Sequence, residues 1–448
     1  MATPDPTSSR HTSLPSSPDD WRLWELPPSI SLFAIAGGVG LVMGVIACLL
    51  KHAVHWVSLL LVSHFRPDSP NWALLVIPVI GIMLVVAFQK IVVRRKLGHG
   101  VDQIEDMVKD GNYDVPTVFS WGPLVAALVT LGFGGSAGAE GPIASSGSTI
   151  GSLVARRLGL PPRLVRILIG CGAGAGIAGI FKAPIGGMMF TVEVIGMELA
   201  TVPLVALVIA CLVSGMTCYA MTGFTLDVPL KDVQTFDPSM SWWIIVLGIF
   251  CGLYSLYYTF IGTSLRQLFR RIPDVWLKGL CSGGILAILL FIFPALYGEG
   301  YDTMANIIDG DMDALIRYSL FNHSGVAPDI GLAVAVCLGI ALFKPMACVS
   351  TNSGGGVAGD FAPTLFAGCM AGLFFAGSLN AWAGLGLPAN NFAVSAMAAV
   401  MAGVIRAPLM AIFIVIEMTG YIGMTFPVML AVGFSYGTML LGRHFLKR

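Results

Sequence analysis

The sequence predicts an all-α integral membrane protein built from two structural repeats with broken, re-entrant helices. Three observations carry this: the composition, the long apolar runs, and an internal repeat of Gly-rich turns and Ala-Pro helix starts. Of 448 residues, 56% are hydrophobic and 11% charged, with mean hydropathy +0.82. Ordinary soluble domains carry about 25% charge. A chain this apolar cannot clothe a water-facing globule, so the bilayer is its solvent. Net charge is zero, which implies no nucleic-acid partner.

The runs come next. Ser31–Leu50, Asn71–Phe88, Trp242–Ile261, Leu280–Leu296 and Ile330–Leu342 are apolar and without charge. A helix of about twenty such residues spans a bilayer. Residues 1–28 are polar and rich in Ser, Pro and Thr, without the apolar core of a signal peptide. They are expected to form a disordered cytoplasmic tail, with a surface helix near Trp21–Leu26, ahead of a transmembrane domain over 29–448. Arg94, Arg95 and Lys96 follow the second run, and Arg443, His444, Lys447 and Arg448 close the chain. The positive-inside rule puts both clusters, and with them both termini, in the cytoplasm of a multi-pass protein of the cell inner (plasma) membrane. No soluble C-terminal domain is expected beyond Arg448. The nine cysteines stand singly, several within apolar runs (Cys48, Cys171, Cys211, Cys337), and read as small core hydrophobes rather than disulfides or metal ligands. No metal or cofactor motif occurs.

The repeat lies at roughly 70–220 and 280–448. Lys182-Ala183-Pro184 opens a segment ending at Glu193, and Arg406-Ala407-Pro408 opens one ending at Glu417; in each, Glu sits nine positions after Pro. Upstream of each is a Gly-rich turn ending in Pro: Gly138-Ala139-Glu140-Gly141-Pro142 and Gly359-Asp360-Phe361-Ala362-Pro363. The Pro-to-Pro spacings are 42 and 45 residues. Two repeats with the site at their interface are a transporter habit. The pattern leaves open whether the halves are inverted.

The turns themselves suggest chemistry. Six glycines break up Phe133–Ser152, and Pro142 suits a first helical turn. A helix starting at membrane depth presents unpaired N–H groups and a positive dipole end, and lipid offers no acceptor. An anion fits there. Two facing helix starts would hold one without any full positive charge. Glu140 stands at the first turn; an ionisable residue at that depth is a functional candidate by default. Capping of its own helix is the structural alternative.

These residues resemble the CLC family of chloride channels and chloride/proton antiporters, in its prokaryotic form without C-terminal CBS domains. Gly138–Pro142 is similar to the family's GREGP motif, with Ala139 in place of the basic residue. Gly359–Pro363 resembles GxFxP, and Gly98-His99-Gly100-Val101-Asp102 stands at the place of GSGIP. The Ala-Pro segments follow the family too, the likeness covers about residues 30–447, and it implies the CLC-type fold, in which the two repeats are inverted. The resemblance implies a chloride/proton antiporter rather than an enzyme, with Glu140 as the gating and proton-carrying glutamate. It implies an anion site at His99, Gly100, Gly141, Asp360, Phe361 and Ala362. It also implies a homodimer with one pathway per subunit, meeting along Ile185–Val213 and Leu409–Leu430. No cofactor or metal is expected; the partners are chloride or a similar small anion, protons and lipid.

The departures keep alternatives open. His99 replaces an anion-coordinating serine, though imidazole can donate an N–H. Asp102 and Asp360 are expected to face away from the anion or to stabilise a helix start. Val194 stands where many exchangers carry an internal proton-site glutamate, and the family's inner tyrosine would fall at the last residue, Tyr436 being too early. Both departures favour a passive chloride channel, and the missing tyrosine predicts a more open inner gate. A fluoride carrier is a further alternative. So is a membrane serine hydrolase, because Gly134–Gly138 matches GxSxG; that reading needs a strand before Ser136 and a His–carboxylate pair beside it, with His99 and His323 as the candidate bases.

Overall fold

The computed structural model describes residues 28–446 apart from 64, 66–70, 99–103, 105–112, 114, 198–199, 227, 229–234, 309–310, 312–314, 316–318 and 320–329. The expected tail (1–28, with a helix near Trp21–Leu26) lies outside the described residues up to position 27, as do His99, Gly100, Asp102, His323, Lys447 and Arg448.

Fifteen α-helices are described, joined by short 3-10 turns. Nine helices among the described residues are long and apolar enough to cross a membrane. The first, α1 (Pro28–Val62), is 35 residues long and outruns the apolar stretch that predicts it. It continues through Lys51 and His52 because both are absorbed: Lys51 Nζ donates to the Ile180 carbonyl at 3.1 Å, and His52 Nδ1 lies 2.8 Å from the Cys48 carbonyl. Next comes α2 (Ile77–Phe88), which ends in a wide π-type turn over Gln89–Val93. Arg94 follows in the left-handed region. Then come α3 (Gly122–Gly132), α4 (Glu140–Arg157), α5 (Pro162–Phe181), α6 (Pro184–Glu193) and α7 (Thr201–Met221).

The second half has α8 (Ser241–Arg270), α9 (Val275–Ile292), α10 (Tyr301–Ile308), α11 (Ile330–Ser353), α12 (Phe361–Ala383), α13 (Ala389–Ile405), α14 (Pro408–Thr419) and α15 (Thr425–Leu446). The apolar run Leu280–Leu296 overshoots α9. Phe293 leaves the helical region, and Pro294 opens a 3-10 turn. Helix α9 runs antiparallel to α2, with Gly279 against Val86 and Gly283 against Val79, and α15 runs parallel to α8, with Gly248 against Phe434 and Gly442 against Leu256. Arg94, Arg95, Arg270, Arg271 and Arg443, which follow or close α2, α8 and α15, therefore share one face of the bundle, and the ends of α1 and α9, where Val62 and Pro294 line one cavity, lie at the opposite face.

The repeat is written in the backbone. Lys182 ends α5 at φ 53, ψ 36, and Arg406 ends α13 at φ 67, ψ 33. Ala183 (φ −124, ψ 81) and Ala407 (φ −127, ψ 80) then turn the chain into Pro184 and Pro408. Left-handed conformation in a non-Gly residue costs energy and persists only where the surroundings enforce it. Its recurrence at both basic–Ala–Pro motifs makes them one structural device.

The two halves are inverted. Glu193, ending α6, accepts the Leu409 and Met410 N–H groups at the start of α14 (3.1 and 2.8 Å). Glu417, near the end of α14, accepts Ile185 and Gly186 N–H at the start of α6 (3.1 and 2.8 Å). Equivalent helices thus lie side by side with opposite direction, which requires a two-fold relation across the pair. Each carboxylate satisfies orphan donors at the other helix's N-terminus, where negative charge is favoured.

Helix α4 is the instructive case. Its sequence is too rich in Ser and Gly to be a lipid-facing span, yet Ser145, Ser146, Ser148, Thr149 and Ser152 are buried. Protein covers it rather than lipid. It packs against α5 so closely that a Cβ at Gly147 would strike the Gly172 carbonyl. The α12–α13 pair is built likewise, with Gly368 against the Ala396 carbonyl.

Candidate functional site

The two Gly-rich turns meet. Gly138 N–H donates to the Gly359 carbonyl at 3.0 Å, and Gly359 N–H donates back to Gly138 at 2.6 Å, an isolated antiparallel bridge between the repeats. The N-termini of α4 and α12 therefore face one another, as the facing-helix-start argument requires.

Glu140 fills the space between them. It is completely buried. Its Oε1 accepts the Ala362 N–H at 2.8 Å, in the first turn of α12. Its Oε2 is buried with no hydrogen-bond partner among the described residues. The carboxylate therefore caps the helix of the other repeat, while also interacting with its own backbone N–H at the start of α4. It occupies the position at a helix N-terminus that suits an anion.

Glycine at 138 and 359 is a steric requirement. A Cβ at Gly138 would collide with the Glu140 carboxyl group, and one at Gly359 would stand 2.8 Å from both Glu140 Oε2 and the Gly141 nitrogen. Gly138→Ala is expected to displace the carboxylate from its seat. At least tenfold weaker proton coupling, in a protein that still purifies as a folded species, is the predicted result. Wild-type coupling would show that the turn has room this geometry denies.

The other expected anion-site residues separate into groups. Gly141 and Ala362 contribute backbone at the meeting point, and Phe361 is buried beside them, its ring edge-on to Phe190 of α6 at 5.7 Å between centroids. Asp360 turns its side chain elsewhere. Oδ1 accepts from Asn352 Nδ2 (3.0 Å) and from Cys348 Sγ (3.1 Å), Oδ2 lies 3.8 Å from Arg266, and no side-chain cap forms at α12. Val194 is the C-cap residue of α6, its N–H donating to the Phe190 carbonyl at 2.9 Å, and the neighbouring Glu193 carboxylate is engaged by α14. His99 and Gly100 lie outside the described residues.

The serine hydrolase alternative lacks the strand it needs. The segment before Ser136 is α3, a helix, and Ser136 is completely buried. Its Oγ takes a hydrogen bond from Lys344 Nζ at 2.8 Å and its N–H donates to Thr351 Oγ1, so among the described residues its side-chain neighbour is a lysine.

Two charged residues at the site escape the motif reading. Lys344 of α11 is completely buried, over the Phe366 ring (4.9 Å), and also reaches the Gly298 carbonyl at 3.4 Å. Glu299 accepts the Ala139 N–H at 2.9 Å. Lys344 interacts electrostatically with both Glu299 and Glu140. The signal available for Lys344 is a lone charge just past the apolar run ending at Leu342.

Residues 81–440 match the family model described as voltage gated chloride channel. The H(+)/Cl(-) exchange transporter ClcA of Vibrio campbellii is 26% identical, with 93% of this chain and 88% of that protein covered. The voltage-gated ClC-type chloride channel ClcB of Escherichia coli is 28% identical, covering 78% and 79%. The solved structure of a slow cyanobacterial Cl-/H+ antiporter superposes with TM-score 0.76 at 24% identity, covering 94% of this chain and 99% of that one.

Proposed function

We infer that this chain, which belongs to the voltage-gated chloride channel (CLC) family, exchanges chloride for protons across the bilayer. The observation that carries the reading is the seat of Glu140. A carboxylate lodged at the N-terminus of a helix from the opposite repeat occupies the place of an anion. When protonated it loses its attraction to the helix end and can leave, admitting chloride; when ionised it returns and displaces chloride. Proton and anion then alternate at one site. Backbone N–H groups of Gly141, Phe361 and Ala362 are the anion donors in this reading, with His99 and Gly100 on the inner side. Asp360, tied to α11 and α8, serves to position the turn.

Val194 supports the second reading, a passive chloride channel, since it offers no internal proton site. The two are separated by anion flux in proteoliposomes with proton movement followed at the same time. An imposed proton gradient should drive chloride uphill. Anion flux without proton movement would establish the channel instead.

The cytoplasm lies, in this reading, on the face of Arg94, Arg95, Arg270, Arg271 and Arg443, following the positive-inside rule. The protein is a homodimer in the plasma membrane, with no enzymatic activity. Ile185, Leu212, Leu409, Phe426 and Met429 expose apolar surface along α6, α7, α14 and α15, which suits the second subunit. His99→Ala is expected to change anion selectivity, or the response of flux to cytoplasmic pH, by several-fold. Unchanged behaviour in both assays would remove His99 from the anion path.

A further inference from the structure

In its seat Glu140 is completely buried, out of direct contact with water. Glu299 is placed to pass protons between the two. It stands in the Gly298-Glu299-Gly300 turn between α9 and α10, where both glycines have positive φ (65 and 90). A Cβ at Gly300 would lie 2.6 Å from the Phe366 ring. The turn therefore approaches the α12 core closely and presses the carboxylate inward, where Oε1 accepts the N–H of Ala139, the residue before Glu140.

On its other side Glu299 lines a cavity of about 550 Å³, together with Lys51, His55, Tyr297, Tyr301 and Asp302. This cavity lies between the end of α1 and the α9–α10 turn, at the face opposite the basic residues. The charged and titratable groups around Glu299 come from each packed element: Glu140 from α4, Lys344 from α11, Lys51 and His55 from α1, Asp302 and Tyr301 from α10, and Tyr297 from the turn. Lys344 donates to the Gly298 carbonyl and interacts electrostatically with both carboxylates, so it offsets their mutual repulsion.

We propose that Glu299 is the outer proton-transfer carboxylate, carrying protons between the water of this cavity and Glu140. The proposal rests on the antiporter reading. In the inward step the O–H bond of protonated Glu299 breaks, and its proton crosses intervening water to Glu140 Oε2, the oxygen without a partner. Glu299 is left as a carboxylate and takes its next proton from hydronium in the cavity. The reverse order carries a proton out. No electrons move, and the charge leaving Glu299 equals the charge arriving at Glu140.

The test is Glu299→Gln in the full-length protein, reconstituted in liposomes, with chloride and proton fluxes measured together. Glutamine keeps an oxygen to accept the Ala139 N–H, so the turn survives, but it cannot carry a proton. Coupled exchange is expected to slow at least tenfold, with chloride and proton fluxes falling together. In a Glu140→Gln background, where anion flux needs no proton, adding Glu299→Gln is expected to cause no further change. Wild-type coupled rates in Glu299→Gln would overturn the relay while leaving the antiporter reading intact. A drop in passive anion flux in the double variant would also overturn it, showing that Glu299 shapes the anion path. Wild-type protein that moves chloride but no protons would sink both ideas together.

Discussion

Glu140→Gln is expected to abolish proton movement while passive chloride flux continues. Glutamine is nearly isosteric with glutamate and can still present an oxygen to the Ala362 N–H. It carries no charge at any working pH, so the competition between carboxylate and chloride disappears. A charge at a partly buried helix terminus contributes up to about 2 kcal/mol. Losing that much would raise the fraction of time the site is open roughly thirtyfold. Glutamine matches glutamate in size, so it fits between the glycines at 138 and 359, where an added Cβ would collide with the side chain. Flux measurements in proteoliposomes read both effects at once. Proton pumping against a gradient by Glu140→Gln would remove the gate assignment. Loss of all anion flux in a folded protein would make Glu140 part of the anion site instead.

Glu193→Ala and Glu417→Ala are each expected to destabilise the protein by about 3 kcal/mol, since each carboxylate accepts two N–H groups and hydrogen bonds to charged groups contribute about 1.5–3 kcal/mol apiece. The lost partners sit at the starts of α14 and α6, where lipid supplies no substitute. The inverted geometry makes the two sites equivalent, so the losses should be similar. Thermal unfolding in a fixed detergent, compared with Glu193→Gln and Glu417→Gln, measures this. The glutamine variants retain one acceptor oxygen each and should fall between wild type and alanine. An unchanged melting temperature in both alanine variants would show that the crossed carboxylates add nothing to stability. Because α6 and α14 also carry the proposed dimer face, chemical crosslinking of the same samples would report whether association follows stability.

The motif reading and the three-dimensional arrangement agree closely at the Gly-rich turns, and for a local reason. Glycine, proline and the residues between them restrict only their own neighbourhood, and a helix start beginning at Glu140 or Phe361 follows from that restriction alone. The basic–Ala–Pro motifs are legible in the same way, although the left-handed φ at Lys182 and Arg406 is not, because non-Gly residues rarely adopt it. Lys344 flanks no glycine motif, and the turn that carries Glu299 matches no motif of the site it joins, so neither is legible in this local way.

By itself the sequence determined the membrane class, the existence of two repeats, the helix starts at membrane depth and the candidacy of Glu140. All of these follow from composition, apolar run length and short-range backbone chemistry. Tertiary structure alone decided that the repeats are inverted, that Glu193 and Glu417 exchange helix caps, and that Glu140 seats on the helix of the other half. It also decided that Glu299 and Lys344 join the site. The partners concerned are 222 residues apart for Glu140 and Ala362, 160 for Ala139 and Glu299, and 208 for Ser136 and Lys344. A carboxylate's need for a donor is written in its chemistry, but many orphan N–H groups in a chain of broken helices can meet it. Only the packing of buried helices selects which one does.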